Sequence, residues 1–132
     1  MALALERPVI KSSNDSFNLL SRYFLDKTVE EFYVVFLNAG NRLVRIEPIS
    51  NGGITSTVVD CRIIFKKALE LSGVTQMILA HNHPSGNLTP SEPDKRLTEK
   101  IKEGGKLLEL QLLDHLIIAN NQFYSFSDNG LL

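Results

Sequence analysis

The chain has 132 residues, 43% hydrophobic and 22% charged, which is enough apolar material for one folded core and argues against a disordered chain. A formal net charge of -1 gives no global attraction for nucleic acid, so any such binding would have to rest on a local basic patch. The single cysteine, Cys61, cannot close an internal disulfide, no run approaches the ~18 apolar residues of a spanning helix, and the opening Met-Ala-Leu-Ala-Leu is cut short by Glu6, Arg7 and Pro8; a reducing, cytoplasmic setting is expected, and secretion and membrane insertion are disfavoured.

Residues 1–11 read as a lead-in to a single domain over 12–132. Ser12, Ser13, Asn14 and Asp15 offer N-caps for an amphipathic helix that carries Phe17, Leu19, Leu20, Tyr23 and Phe24. Glu31 to Leu37 is dense in aromatic and β-branched residues, and Asn38-Ala39-Gly40-Asn41 turns the chain into Leu43–Ile49, which predicts a β-hairpin. Asn51-Gly52-Gly53 interrupts it, Ile54–Val59 is a further predicted strand, and Asp60 caps a helix running to about Leu71 before Ser72-Gly73. The strand Gln76–Ala80 contains the apolar run Met77-Ile78-Leu79-Ala80, the pattern of a strand buried on both faces.

A loop rich in Pro, Ser, Gly and Asn follows from His83 to Pro90, the composition of a site-forming loop. A helix then starts near Ser91 and turns Leu97 and Ile101 inward, with Leu107 a further candidate for the core; it passes or ends at the Gly104-Gly105 pair. Leu112–Ala119 and Gln122–Phe126 form a closing hairpin around Asn120-Asn121. The expected architecture is α/β, a single domain with a mixed β-sheet flanked by helices. Its basic groups, Arg62 with Lys66 and Lys67, and Lys95, Arg96, Lys100, Lys102 and Lys106, read as solvated helix faces.

Within this frame the run His81-Asn82-His83-Pro84, followed by Ser91 and Asp94, stands out as a divalent-metal pattern. Histidines at i and i+2 on an extended segment project to the same side, and a downstream carboxylate completes three ligands with a coordination position left for water. Ser91-x-x-Asp94 also fits a helix capping box, with Pro93 tolerated in the first turn, and the two readings can coexist. Capping explains Ser91 and Asp94 but not the two histidines. Asp114 and His115 adjoin and point to opposite faces of a strand; a histidine there is either a hydrogen-bonded core residue or part of a site.

On Ala80-His81-Asn82-His83-Pro84-Ser85-Gly86 the chain resembles the RadC family of the JAB/MPN metallopeptidase-like superfamily. That superfamily's pattern, His-x-His-Pro, six residues, Ser, two residues, Asp, is met by His81, His83, Pro84, Ser91 and Asp94, and Leu113-Asp114-His115-Leu116-Ile117 is also RadC-like. The resemblance runs from about Ser13 to the C-terminus. It implies a JAB/MPN, cytidine deaminase-like architecture and a zinc-dependent hydrolase of the JAMM type, a metallopeptidase or isopeptidase acting on an unidentified peptide or protein. It further implies that His81, His83 and Asp94 bind Zn2+, that Ser91 helps to stabilise an oxyanion, and that an upstream glutamate is the general base. RadC proteins usually present that acid two residues before a strand phenylalanine, which selects Glu30 ahead of Phe32, with Glu31 as the alternative if the strand register slips by one residue.

Many RadC proteins carry an N-terminal helix-hairpin-helix domain, and the 132 residues have no room for one, so the chain alone is expected to bind nucleic acid weakly or not at all. The competing reading is a non-catalytic RadC-like module associated with DNA repair or recombination. A zinc nucleobase deaminase is excluded, because its Pro-Cys-x-x-Cys ligand pair needs two cysteines. A Cys61 nucleophile is disfavoured, since the residue has no visible partner and buried, inert cysteine is the commoner outcome.

Overall fold

A computed structural model describes residues 7–51 and 59–132. In chain order the elements are α1 (Ser13–Leu20), a 3-10 turn (Ser21–Phe24), β1 (Glu31–Leu37), β2 (Leu43–Asn51), α2 (Cys61–Glu70), β3 (Gln76–Asn82), α3 (Glu92–Leu107), β4 (Gln111–Ala119) and β5 (Gln122–Ser125). The strands form one sheet in the order β2-β1-β3-β4-β5, with β3 and β4 parallel and the other neighbours antiparallel. A parallel pair needs a crossover, and α3 supplies it. This is the α/β single domain with a mixed sheet that the sequence predicts.

Alternation along the strands separates two cores. Phe32, Val34, Phe36, Met77, Leu79 and Leu112 face α2 and α3, meeting Ile64, Ala68, Leu97 and Ile101. Val35, Leu37, Ile78, Ala80, Leu116 and Ile118 face the other way, against Leu20 and Phe24 of α1 and its following turn. Strand β3 lies between both layers and is buried from Met77 to Asn82, as its apolar run predicts. Cys61 is likewise buried, and burial pushes its thiol above the ordinary range.

Within the expected lead-in, the Leu43 N–H donates to the Pro8 carbonyl, the Ile10 N–H donates to the Asn41 carbonyl, and Ile10 is buried in the second core. Most of the strand expected over Ile54–Val59 lies outside the described residues; Val59 itself is buried in the first core. No helix among the described residues is long and apolar enough to cross a membrane.

Helix α3 runs through Gly104-Gly105 and ends in a left-handed cap, with Glu109 at φ 58° and the Leu110 N–H bonded to the Gly105 carbonyl at 2.8 Å. Leu97 and Ile101 are buried as expected, but Leu107 is 87% exposed. At about 100° per residue, Leu107 falls some 120° around the helix from Ile101, away from the sheet. The buried face continues instead through Gly105, where an added Cβ would lie 2.3 Å from the Leu110 carbonyl oxygen. Gly105→Ala should therefore lower the unfolding free energy by about 1–3 kcal/mol. At Gly104 a methyl would meet only the tip of the Phe65 ring, at 2.9 Å. The gain of up to ~1 kcal/mol in helix propensity offsets that contact, so Gly104→Ala should cost less; equal losses in urea titrations would contradict this account of the pair.

Candidate metal centre

The register of the central strands brings chemistry to one corner of the first core. Phe32 of β1 pairs with His81 of β3, and Leu79 pairs with His115 of β4, so the side chains of Phe32, Leu79, His81 and His115 share the side covered by α3. Phe32 lies against His81 at 6.0 Å between ring centroids and meets His115 edge-on at 5.8 Å. His115 also stacks on Phe126 at 4.7 Å. Asp94 and Thr98, one turn apart in α3, complete the corner, with Leu97 and Ile101 anchoring the helix beside them.

His81, His83 and Asp94 each offer a ligand atom, all within 4.8 Å of one another. The two Nε2 atoms are 3.0 Å apart, His81 Nε2 is 3.3 Å from Asp94 Oδ1, and His83 Nε2 is 3.3 Å from Asp94 Oδ2. Donors bound tetrahedrally at ~2.0–2.2 Å from one ion lie roughly 3.3–3.5 Å apart, close to these spacings.

The chemistry of the donors also fits a cation. His83 Nδ1 lies 2.6 Å from the Asn87 carbonyl oxygen, which can only accept, so Nδ1 carries the proton and a neutral His83 turns an electron pair from Nε2 toward Asp94. The loop is folded to make this contact: the Gly86 N–H donates to the His83 carbonyl, and Gly86 has φ +89°. A Cβ there would also come within 2.6 Å of the Asn120 amide. Electron pairs and a carboxylate aimed at one point repel one another unless a proton or a metal cation sits between them.

The titration behaviour follows from the same crowding. Burial pulls the Asp94 carboxyl upward, but when the imidazoles are protonated their Nε2–H groups donate to it, and these hydrogen bonds from His81 and His83, with the His81 charge and the Ser91 N–H, outweigh burial and hold the group far below the carboxylate range. The Asp94 hydrogen bond raises His83 above the ordinary imidazole value against the opposing effect of burial, with smaller help from Asn87 and from the charges of Asp94 and Glu30. His115 is lowered well below that value, first by burial and then by the charge of His81.

The remaining residues singled out from the sequence divide between this corner and the scaffold. Ser91 is exposed at the N-cap of α3: its Oγ accepts the Asp94 N–H at 3.1 Å while Asp94 Oδ2 accepts the Ser91 N–H at 2.9 Å. The capping box and the ligand cluster thus coexist in one carboxylate. Glu30 is half-buried just before β1, two residues from Phe32, where an extended chain points both to one side. Glu31 turns the other way: its carboxylate accepts the Tyr33 hydroxyl at 3.1 Å and pairs with Lys27 at 3.1 Å. Asn82 fixes the backbone on both sides of Glu30, accepting the Glu31 N–H at 2.7 Å and donating to the Val29 carbonyl at 3.0 Å.

His115 is fully buried with its Nε2 2.8 Å from His81 Nδ1, and Thr98 Oγ1 lies 2.6 Å from His115 Nδ1. Asp114, on the opposite face, accepts the His115 and Ser127 N–H groups and the Ser125 hydroxyl, which ties down the chain that presents Phe126. Burial raises the Asp114 carboxyl despite those hydrogen bonds. Thr98 belongs to no motif in the sequence. Its spacing of four from Asp94 was the available signal, since that puts the two on one face of a helix.

The sequence matches the family described as "RadC-like JAB domain" over residues 10–131. Among its relatives, a UPF0758 protein of Flavobacterium johnsoniae is 47% identical over 122 residues, covering 92% of this chain and 53% of the relative. A UPF0758 protein of Chlorobaculum tepidum is 41% identical over 123 residues, covering 93% and 55%. The UPF0758 protein YfjY of Escherichia coli is 43% identical over 103 residues, covering 78% and 64%. The chain thus spans little more than half the length of the first two of these relatives.

The shared carboxylate makes capping and ligation separable by experiment. Asp94→Asn keeps an acceptor for the Ser91 N–H but loses the charge, so it should fold while weakening divalent-metal binding by more than the ~10–100-fold typical of losing an outer-shell partner. Ser91→Ala should do the reverse, costing ~1 kcal/mol of stability with little change in metal affinity. Calorimetric titration with zinc, beside thermal melts of each variant, checks both; an Asp94→Asn protein that binds as tightly as wild type would remove Asp94 from the ligand set.

Proposed function

The chain belongs to the RadC-like JAB domain family, and from that premise we propose that it is a zinc-dependent hydrolase of the JAMM type that cuts a peptide or isopeptide bond in an unidentified protein or peptide. The observation that carries this reading is the convergence of His81 Nε2, His83 Nε2 and the Asp94 carboxylate at the end of β3, with Glu30 bracketed next to it by Asn82. Three protein ligands, two imidazoles and an acid, favour a catalytic over a closed four-ligand structural site. Zinc held there would polarise a scissile carbonyl and lower the pKa of a water it binds to roughly 7.

The chain's own groups supply the rest. Glu30 accepts the proton of the attacking water and passes it to the leaving amine. Two observations support Glu30 over Glu31: its charge acts on His83, whereas the Glu31 carboxylate is already engaged by Tyr33 and Lys27. Ser91 Oγ accepts the Asp94 N–H, which leaves the hydroxyl proton free to donate to an oxyanion. Duplex DNA is a poor candidate for this chain's partner: its formal net charge is -1, and non-specific DNA binding depends on an excess of Lys and Arg facing the phosphates.

Glu30→Gln preserves size and removes basicity, so it should abolish hydrolysis while leaving zinc content and folding unchanged. His81→Ala should lose both metal and activity. Elemental analysis together with a broad peptide and isopeptide cleavage panel separates these outcomes. A zinc-loaded wild type that cleaves nothing in the panel would overturn the hydrolase reading; an active Glu30→Gln beside a dead Glu31→Gln would transfer the base to Glu31.

A further inference from the structure

Each nitrogen of the buried His115 has one hydrogen-bond partner, and the partners dictate a direction. Thr98 Oγ1 lies 2.7 Å from the Asp94 backbone carbonyl, which accepts and cannot donate, so the threonine proton points there. The same oxygen lies 2.6 Å from His115 Nδ1 and has no second proton to offer, so it must accept an N–H from that nitrogen. His115 is 0% exposed, sandwiched against Phe126 and the edge of Phe32, and its ring nitrogens meet His81 and Thr98 rather than a carboxylate, a setting in which a charged imidazole is costly. A neutral ring with its proton on Nδ1 has a bare Nε2. That nitrogen, 2.8 Å from His81 Nδ1, therefore accepts, and His81 must carry its proton on Nδ1.

We propose that Thr98 and His115 are positioning residues that fix the tautomer of His81, holding an unprotonated Nε2 toward His83 and Asp94. The hydrogen bonds run one way, from His81 to His115 to Thr98 to the Asp94 main chain, so the relay starts on one member of the cluster and ends on the backbone of another. His83 needs no such relay because the Asn87 carbonyl fixes its tautomer directly. Outer partners that orient a ligating imidazole in this way typically change metal affinity by 10–100-fold when removed. The inference rests on the metal-binding part of the proposed function and is independent of hydrolysis.

The most telling variant is Thr98→Val, which keeps the β-branched shape and removes the acceptor that His115 Nδ1–H requires. His115 is then free to move its proton to Nε2, where it would oppose the His81 Nδ1–H and drive the His81 proton to the nitrogen that should bind metal. In chelator-treated wild-type protein at neutral pH, long-range 1H–15N spectra should show both His81 and His115 protonated on Nδ1. Competition against a chromophoric chelator should show zinc affinity about 10–100-fold weaker in Thr98→Val and restored in Thr98→Ser, which returns the hydroxyl. Urea midpoints recorded on the same samples separate lost folding from lost affinity.

A wild-type His81 with a bare Nδ1 and its proton on Nε2, or a folded Thr98→Val that binds zinc as tightly as wild type, would overturn the proposal. If Thr98→Val does not fold, the wild-type tautomers and the affinity of Thr98→Ser decide it. A wild type that shows the expected tautomers but binds no zinc would uphold the relay and overturn the metal reading.

Discussion

A neutral imidazole has two nitrogens and one proton, and in a site closed to water each nitrogen must find a partner of the matching kind. That constraint organises the centre. His115, enclosed between Phe126, Phe32, Thr98 and His81, has no solvent to adjust its protonation, so its surroundings fix it. From that fixed point the direction of each hydrogen bond outward to His81 follows, as the Asn87 carbonyl does independently for His83. The cluster is electron-rich because its scaffold disposes of the protons on the far sides of the rings.

Residues beside those in the corner turn the other way and hold the fold. Asn82, between the two histidines, ties β3 to the start of β1; Asp114, beside His115, gathers the end of β5. Alternation along a strand makes this division natural, since neighbours face opposite sides of the sheet. Helix α3 achieves the same economy at its N-terminus. The Ser91 N–H holds Asp94 Oδ2, and the hydrogen bond that caps the helix also aims the carboxylate at the imidazoles.

Much of this was legible in the sequence because it depends on local rules. The hairpins, the doubly buried β3 and the cap at Ser91 follow from periodicity and capping, and His81, His83 and Asp94 could be grouped because strand alternation and a helix start are both readable over fourteen residues. Spacing favours Glu30 but leaves Glu31 as the alternative, since a shift of one residue at the start of β1 exchanges faces; the engagement of Glu31 by Tyr33 and Lys27 appears only in three dimensions. Thr98 reads as an ordinary helical threonine until β4 brings His115 against it. Leu107 is a core candidate in the sequence, yet its angular position on α3 sends it to solvent, and Gly105 fills the seam because the turn at Leu110 returns too closely for any side chain.

The order of strands also governs when the corner can exist during folding. The β1–β2 and β4–β5 pairs are local hairpins, but β1–β3 and the parallel β3–β4 pair join segments far apart in the chain, and such non-local pairings form slowly because loop-closure entropy precedes any reward. His81 and His83 enter the chain together, whereas His115 arrives with β4, more than thirty residues later. During synthesis the two histidines therefore emerge before the residue that fixes the His81 proton in the folded chain. The tautomer-defining contact at His81 is thus a property of the completed sheet, present only once β4 has paired with β3 and set His115 against it.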